Sequence, residues 1–325
     1  MGMSSGIHAL TAIDGAVSHT KSLLWPFRAG VWLRLAVIAL FVGGFGGGFN
    51  FFSFPDGGGH AGSGMPVDLF APGLGVAFLL IGIILILALV FGIIGSIFQF
   101  VFVDCLASGE VSLSRTFGMR SGKGLRLFLF QVVFALLMVA AMIVALLAVF
   151  LPVQGMGAPN LLALIVLVPA AVLILVCVGV VLMLTTDFVV PVMIRSDCGV
   201  IEGWRHAWAF IRPDLVNAAA YVVFKFLLAI VLGLIALVLA LVAAAVIAVP
   251  LVAVGVVAGI ALGDAAVPVY LLLLLIGIIV AVPVLLLVQV PFATFLRYYS
   301  LGVLARFSAE YDLLKSPAET GAVQA

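Results

Sequence analysis

Charge is scarce in this sequence. Asp, Glu, Lys and Arg together make up 8% of its 325 residues, where a soluble domain carries about 25%. That shortage excludes an ordinary water-soluble globular protein. Three cysteines, Cys105, Cys177 and Cys198, are too few and too scattered for a disulfide framework or a CxxC metal site. The four histidines, His8, His19, His60 and His206, fall on different segments without HxxH or HExxH spacing, which argues against zinc. No GxSxG nucleophile elbow occurs. No polar stretch reaches the roughly 50 residues of a small domain, which leaves no room for a separate soluble catalytic domain. The expectation is therefore a protein without cofactor, metal or enzymatic activity. Met1 to Leu24 lacks a continuous apolar run ended by a small-residue cleavage site, so no cleaved signal peptide is expected.

Apolar residues are abundant instead: 66% of the chain, with a mean hydropathy of +1.46. A helix crossing a bilayer core of about 30 Å needs about 20 mostly apolar residues. Stretches at about Val31 to Phe49, Leu74 to Val103, Leu125 to Leu151, Leu161 to Val190, Val216 to Val249 and Val269 to Leu296 qualify. The predicted fold class is all-α, a polytopic transmembrane bundle of about six spans forming a single domain over residues 1–315, with a disordered tail at 316–325. The fifth span is long, and Pro250 offers a natural break. Leu251 to Gly263 is then too short to span alone. It is either a helix extension, packed through Gly255, Gly259 and Gly263 on one face, or a re-entrant element lining a cavity.

Basic residues orient the bundle. Lys21, Arg28 and Arg34 lie at or before the first span. Arg115, Arg120, Lys123 and Arg126 lie between the second and third, and Arg195, Arg205, Arg212 and Lys225 between the fourth and fifth or just inside the latter. Arg297, Arg306 and Lys315 follow the sixth. The connections Asn50 to Gly73, Pro152 to Asn160 and Pro250 to Pro268 contain no Lys or Arg. Short loops rich in Lys and Arg stay inside, so a cell-membrane protein with both termini cytoplasmic explains the whole distribution. The glycines of the first outer connection, Gly43 to Gly59, end a membrane helix and are followed by no P-loop lysine, so they read as a flexible loop rather than a phosphate cradle. Net charge is only +1, and no nucleic-acid partner is expected.

The cytoplasmic face is expected to carry amphipathic interfacial helices. From Gly199 to Arg212, residues Ile201, Trp204, Trp208 and Ile211 recur at helical spacing, with Glu202, Arg205, His206 and Arg212 opposite. This is the pattern of a helix lying at headgroup depth with arginines toward anionic lipid; the other reading is a helix capping the bundle's own end. Ile7, Leu10, Ile13, Val17 and Leu24 form a similar stripe near the start, and Leu301, Leu304, Tyr311 and Leu314 near the end. Leu113 and Phe117 match Val200 and Trp204 at an offset of 87, while Gln99 matches Asp187 at 88. Three helical-hairpin units, each followed by a basic cytoplasmic helix, would build the chain.

The run Pro26-Phe27-Arg28-Ala29-Gly30-Val31-Trp32-Leu33-Arg34-Leu35 and the closing run Pro291-Phe292-Ala293-Thr294-Phe295-Leu296-Arg297-Tyr298-Tyr299-Ser300-Leu301 resemble an uncharacterised family of archaeal multi-pass membrane proteins. The resemblance extends distantly to the membrane portion of some glycerophosphodiester phosphodiesterases, without their catalytic residues. It implies a membrane bundle and no established activity.

Ionisable groups inside a membrane are costly and are the default functional candidates. Lys225 and Arg34 lie near the inner ends of the fifth and first spans, where a long stem can snorkel to the interface; the alternative is a buried counter-ion or substrate contact. Asp104 and Asp187, near the inner ends of the second and fourth spans, can pair with Lys225 or Arg34, or cap the adjoining segment. Gln99, Gln131 and Gln289 can hydrogen-bond across helices, more as packing glue than as a binding site. Asp56, Asp68 and Asp264 on outer loops lack metal-ligand spacing. The expected partners are membrane lipid and a membrane protein of unknown identity. The leading functional reading is a non-enzymatic protein that organises or assists other membrane components, the alternative a transporter or channel.

Overall fold

The computed structural model describes residues 8–45, 72–109, 113–150 and 161–314. Among them every regular element is helical, as expected where apolar residues run without period-2 alternation. The helices are α1 (His8–Leu24), α2 (Ala29–Ala39), α3 (Pro72–Ser108), α4 (Leu113–Phe150), α5 (Leu161–Leu184), α6 (Val190–Arg195), α7 (Val200–Ile211), α8 (Leu215–Leu262) and α9 (Val267–Phe307). Five stretches are long and apolar enough to cross a membrane: Phe78–Ser108, Thr116–Ala145, Leu167–Arg195, Val200–Leu262 and Val267–Phe307. The expected first span, Val31 to Phe49, leaves the described residues after Phe45, and its described apolar helix, Ala29–Val42, is shorter. The glycine-rich outer loop, Pro152 to Asn160 and the tail from Lys315 also lie outside them.

Contacts group the chain into two compact units, each assembled from separated stretches. The smaller covers 41–100 and 117–186. Its helices α3 and α4 approach closely where Gly124 faces Ile97: a Cβ on Gly124 would lie 2.8 Å from the Ile97 Cα. Ser96 donates a 3.0 Å hydrogen bond to the Gln131 side-chain carbonyl, the interhelical polar contact expected of Gln131.

The larger unit covers 1–40, 101–116 and 187–325. Here α8 packs along α9, and α1 and α2 pack against α9 as well. Helix α8 runs unbroken through Pro250, at 1.5 Å per residue a rod on the order of 70 Å. The expected break is therefore absent. Proline removes one backbone donor, a loss that membrane helices absorb through their neighbours, and Leu251 to Leu262 is a helix extension. A Cβ on Gly255 would lie 3.6 Å from both Tyr270 and Leu273 of α9, and one on Gly259 would run into the Tyr270 hydroxyl. Those two glycines thus serve packing. Gly263 ends the helix instead, at φ +50° and ψ −128°, a conformation that residues with a Cβ avoid.

Two surface stripes are corrected. Leu301, Leu304 and Tyr311 are buried, because α9 does not stop at Leu296 but continues to Phe307 inside the unit. On α1 the buried residues are Ala12, Ala16 and Leu24, while Leu10 and Val17 are exposed. Small residues let the backbones approach: a Cβ on Gly302 of α9 would sit 3.6 Å from the Ala12 Cβ. His19 stacks on Tyr298, ring centroids 5.4 Å apart, and Arg306 donates to the Thr11 hydroxyl and, at 2.7 Å, to its carbonyl.

Candidate functional site

A buried ionic cluster lies within the larger unit. After α5 the chain makes a π-helical turn, Thr185–Val189, and this turn carries Asp187, which is 2% exposed. An isolated carboxylate at that burial would be prohibitively unfavourable, so its partners decide whether it stays charged. Tyr221 of α8 donates its hydroxyl to Asp187 Oδ2 at 2.8 Å. One turn on, at the i+4 spacing that places two residues on one helix face, Lys225 pairs with the same oxygen. From α9, Arg297 reaches Oδ1 at 3.4 Å. Ser300 Oγ lies 3.2 Å from Oδ1 and 2.8 Å from the Leu296 carbonyl oxygen, so its single proton is shared between two acceptors. The Lys225 ammonium donates to Ser300 Oγ at 3.2 Å.

Aromatic rings enclose the cluster. Tyr221 stacks on Phe188 at 4.8 Å and on Tyr299 at 5.8 Å between centroids, and Lys225 Nζ sits 5.8 Å from the Tyr221 ring. Phe188, Tyr221 and Tyr299 are wholly buried. The Tyr299 hydroxyl is a buried donor with no hydrogen-bond partner among the described residues. Removing water in this way strengthens each charge contact inside.

The expected candidates therefore separate. Asp187 and Lys225 come together, and the Lys225 ammonium points inward to the carboxylate rather than snorkelling. The pull of a charge in a dry environment exceeds what the rim of the span offers. Arg34 is exposed on α2, Asp104 is half-buried on α3 and Gln289 is exposed on α9, while Gln99 is buried on α3. None of these four shares a described hydrogen bond with Asp187. Arg297, Ser300 and Tyr221 join the cluster without being marked as site residues by the sequence. By sequence Arg297 groups with the cytoplasmic basic residues because it follows an apolar run. Its signal was the polar quartet Arg297-Tyr298-Tyr299-Ser300 directly continuing a span. Among the described residues no group of His, Cys, Asp and Glu is placed to hold a metal ion.

The helix at Gly199 to Arg212 forms as α7, but the expected single apolar face is split. Val200, Gly203, Ala207 and Ile211 are buried, Trp204 is half-buried, and Ile201 and Trp208 are exposed at 83% and 52%. Gly203 explains the rotation: a Cβ there would lie 2.8 Å from Val189 and 3.1 Å from Met193, so the helix docks on its own chain through its small residues. Phe210 turns toward Phe188, Phe307 and Tyr311, with centroids 6.3, 6.2 and 5.9 Å away.

A model describing a family of unknown function matches residues 7–314. The chain belongs to the DUF7544 family. No curated protein and no solved structure matches it. The DUF7544 match spans α1 through α9 and so includes Asp187, Tyr221, Lys225, Arg297 and Ser300, together with the whole of α7.

Proposed function

We propose that the protein is a non-enzymatic, six-span component of the cell membrane, with both termini cytoplasmic, that organises or assists other membrane components. Its Asp187 cluster is a structural joint in this reading. The carrying observation is the occupancy of that carboxylate. An ionised carboxyl group offers about four acceptor positions. Tyr221 and Lys225 occupy Oδ2, while Arg297 and the shared Ser300 proton occupy Oδ1. A group that carries a proton or an ion must exchange its partners, and this one is held from α8 and α9 at once. The alternate placement of Lys and Arg along the sequence supports the six-span topology. The runs Pro26 to Leu35 and Pro291 to Leu301 support kinship with archaeal multi-pass proteins and, more distantly, with the membrane portion of some glycerophosphodiester phosphodiesterases.

One observation favours transport: Asp187 sits on a π-helical turn inside an apolar stretch, and such turns recur at functional sites. Proteoliposomes loaded with a pH-sensitive dye separate the readings. A structural joint leaves wild-type and Asp187→Asn vesicles as tight to protons and monovalent cations as protein-free vesicles. A flux present in the wild type and abolished by Asp187→Asn replaces the joint with a transport site.

A further inference from the structure

We propose that the outward face of α7 is a docking surface for anionic phospholipid headgroups. This rests on the reading of the chain as a multi-pass membrane protein. Once Val200, Gly203, Ala207 and Ile211 are buried against the chain itself, a second face remains. At 100° per residue, Ile201, Arg205, Trp208 and Arg212 fall within an arc of about 60°, and all four are exposed. Across that arc the two large apolar side chains, Trp208 and Ile201, lie beside the two guanidinium groups of Arg212 and Arg205. Tryptophan partitions to the boundary between acyl chains and headgroups, and arginine reaches the phosphates above it.

Short tethers hold the face at that depth. Four residues separate the apolar stretch Leu167–Arg195 from Val200. After Ile211, a single 3₁₀ turn, Arg212–Asp214, leads into α8. The Asp214 side chain caps α8 by accepting from the Asn217 backbone N–H at 3.3 Å, and α8 opens on Leu215 and Val216, 54% and 81% exposed. A twelve-residue helix set between the end of the apolar stretch Leu167–Arg195 and the start of α8 has no length of chain with which to leave the membrane surface. Charge selects the lipid. Arg205 has a neighbour in Glu202 at 3.6 Å, but both side chains are exposed, at 79% and 51%, and such a pair holds its arginine only weakly. A lipid phosphate can therefore compete for Arg205. Each arginine near an anionic surface contributes about 1 kcal/mol, roughly a fivefold preference.

The full-length protein, reconstituted in phosphatidylcholine vesicles, tests this through tryptophan quenching. A minority of acyl-brominated lipid is supplied as phosphatidylglycerol or as phosphatidylcholine at equal mole fraction, and the contribution of Trp208 is obtained by subtracting Trp208→Phe. The Trp208 share should be quenched by both lipids, with a preference for phosphatidylglycerol of roughly fivefold for each arginine engaged. Arg205→Gln/Arg212→Gln should remove the preference and leave quenching by phosphatidylcholine intact; raised salt should act in the same direction. The proposal is overturned if Trp208 is quenched by neither lipid, which points to a protein covering this face. It is equally overturned if both lipids quench alike in wild type and double variant. Retention in vesicles after alkaline washing separates the failures. A retained protein with an unquenched Trp208 loses only the docking surface, whereas an extracted protein loses the multi-pass reading with it.

Discussion

The ammonium of Lys225 and the carboxylate of Asp187 form an ion pair across 38 positions of sequence, with 15% and 3% of the two side chains exposed. The pair ties the turn after α5 to the first third of α8, and Arg297 brings α9 to the same carboxylate. Buried pairs of this kind add little net stability over an apolar core, but breaking one leaves an uncompensated charge.

Lys225→Met and Asp187→Asn should each destabilise the protein, by about 3–5 kcal/mol where one charged partner of a buried pair is lost. Asp187→Leu/Lys225→Met/Arg297→Met, which removes all three charges together, should recover most of that loss. Loss of the monodisperse species on heating in detergent measures the order. Single variants that melt with the wild type would remove the joint from the account.

Glycines on α4 should respond oppositely. A Cβ on Gly124 meets backbone, 2.8 Å from the Ile97 Cα and 3.0 Å from its nitrogen, whereas Gly122 has nothing within 4 Å. Gly124→Ala should force α3 and α4 apart and cost about 1–3 kcal/mol. Gly122→Ala should gain up to about 1 kcal/mol from helix propensity. The same heating assay compares them, and equal behaviour contradicts the close approach.

Gly203→Leu should lift α7 off Val189 and Met193. Cys198, on the short link between α6 and α7, is 7% exposed and provides the readout. In a Cys105→Ala/Cys177→Ala background, maleimide labelling of Cys198 should be slow and should accelerate at least several-fold with Gly203→Leu. An unchanged rate means that the helix is not docked through that face.

Topology has an independent check. A cysteine introduced at Gly58 should react with a membrane-impermeant reagent in intact cells, and one at Ser316 should react only after permeabilisation, because the alternation of basic loops sets the orientation. The reverse pattern inverts the bundle.

Helix type was legible where composition alone decides. Apolar runs at Leu74 to Val103 and Val269 to Leu296 lie within α3 and α9, since backbone groups without water must bond within their own segment. Gln131 was legible as an interhelical bond, and Asp187 with Lys225 as one of several pairings. Positions that depend on what lies opposite were not. Pro250 reads as a break on the chain, yet α8 continues through it. The face of α7 was misassigned because periodicity counts bulky residues, while close packing selects the small ones, Gly203 and Ala207.

What the sequence determined by itself was the solvent: with charge at 8% and apolar residues at 66%, the helices must be long and their backbones internally bonded. What only the tertiary structure decided was the fate of individual charges. Lys225 lies near the start of an apolar run, where a snorkelling side chain would be expected, yet it pairs with Asp187. Hydropathy is additive along the chain and can be summed from sequence. The energy of a charge depends most strongly on its nearest partners, and for Lys225 those arrive from residues 187 and 300, brought together only when the helices pack.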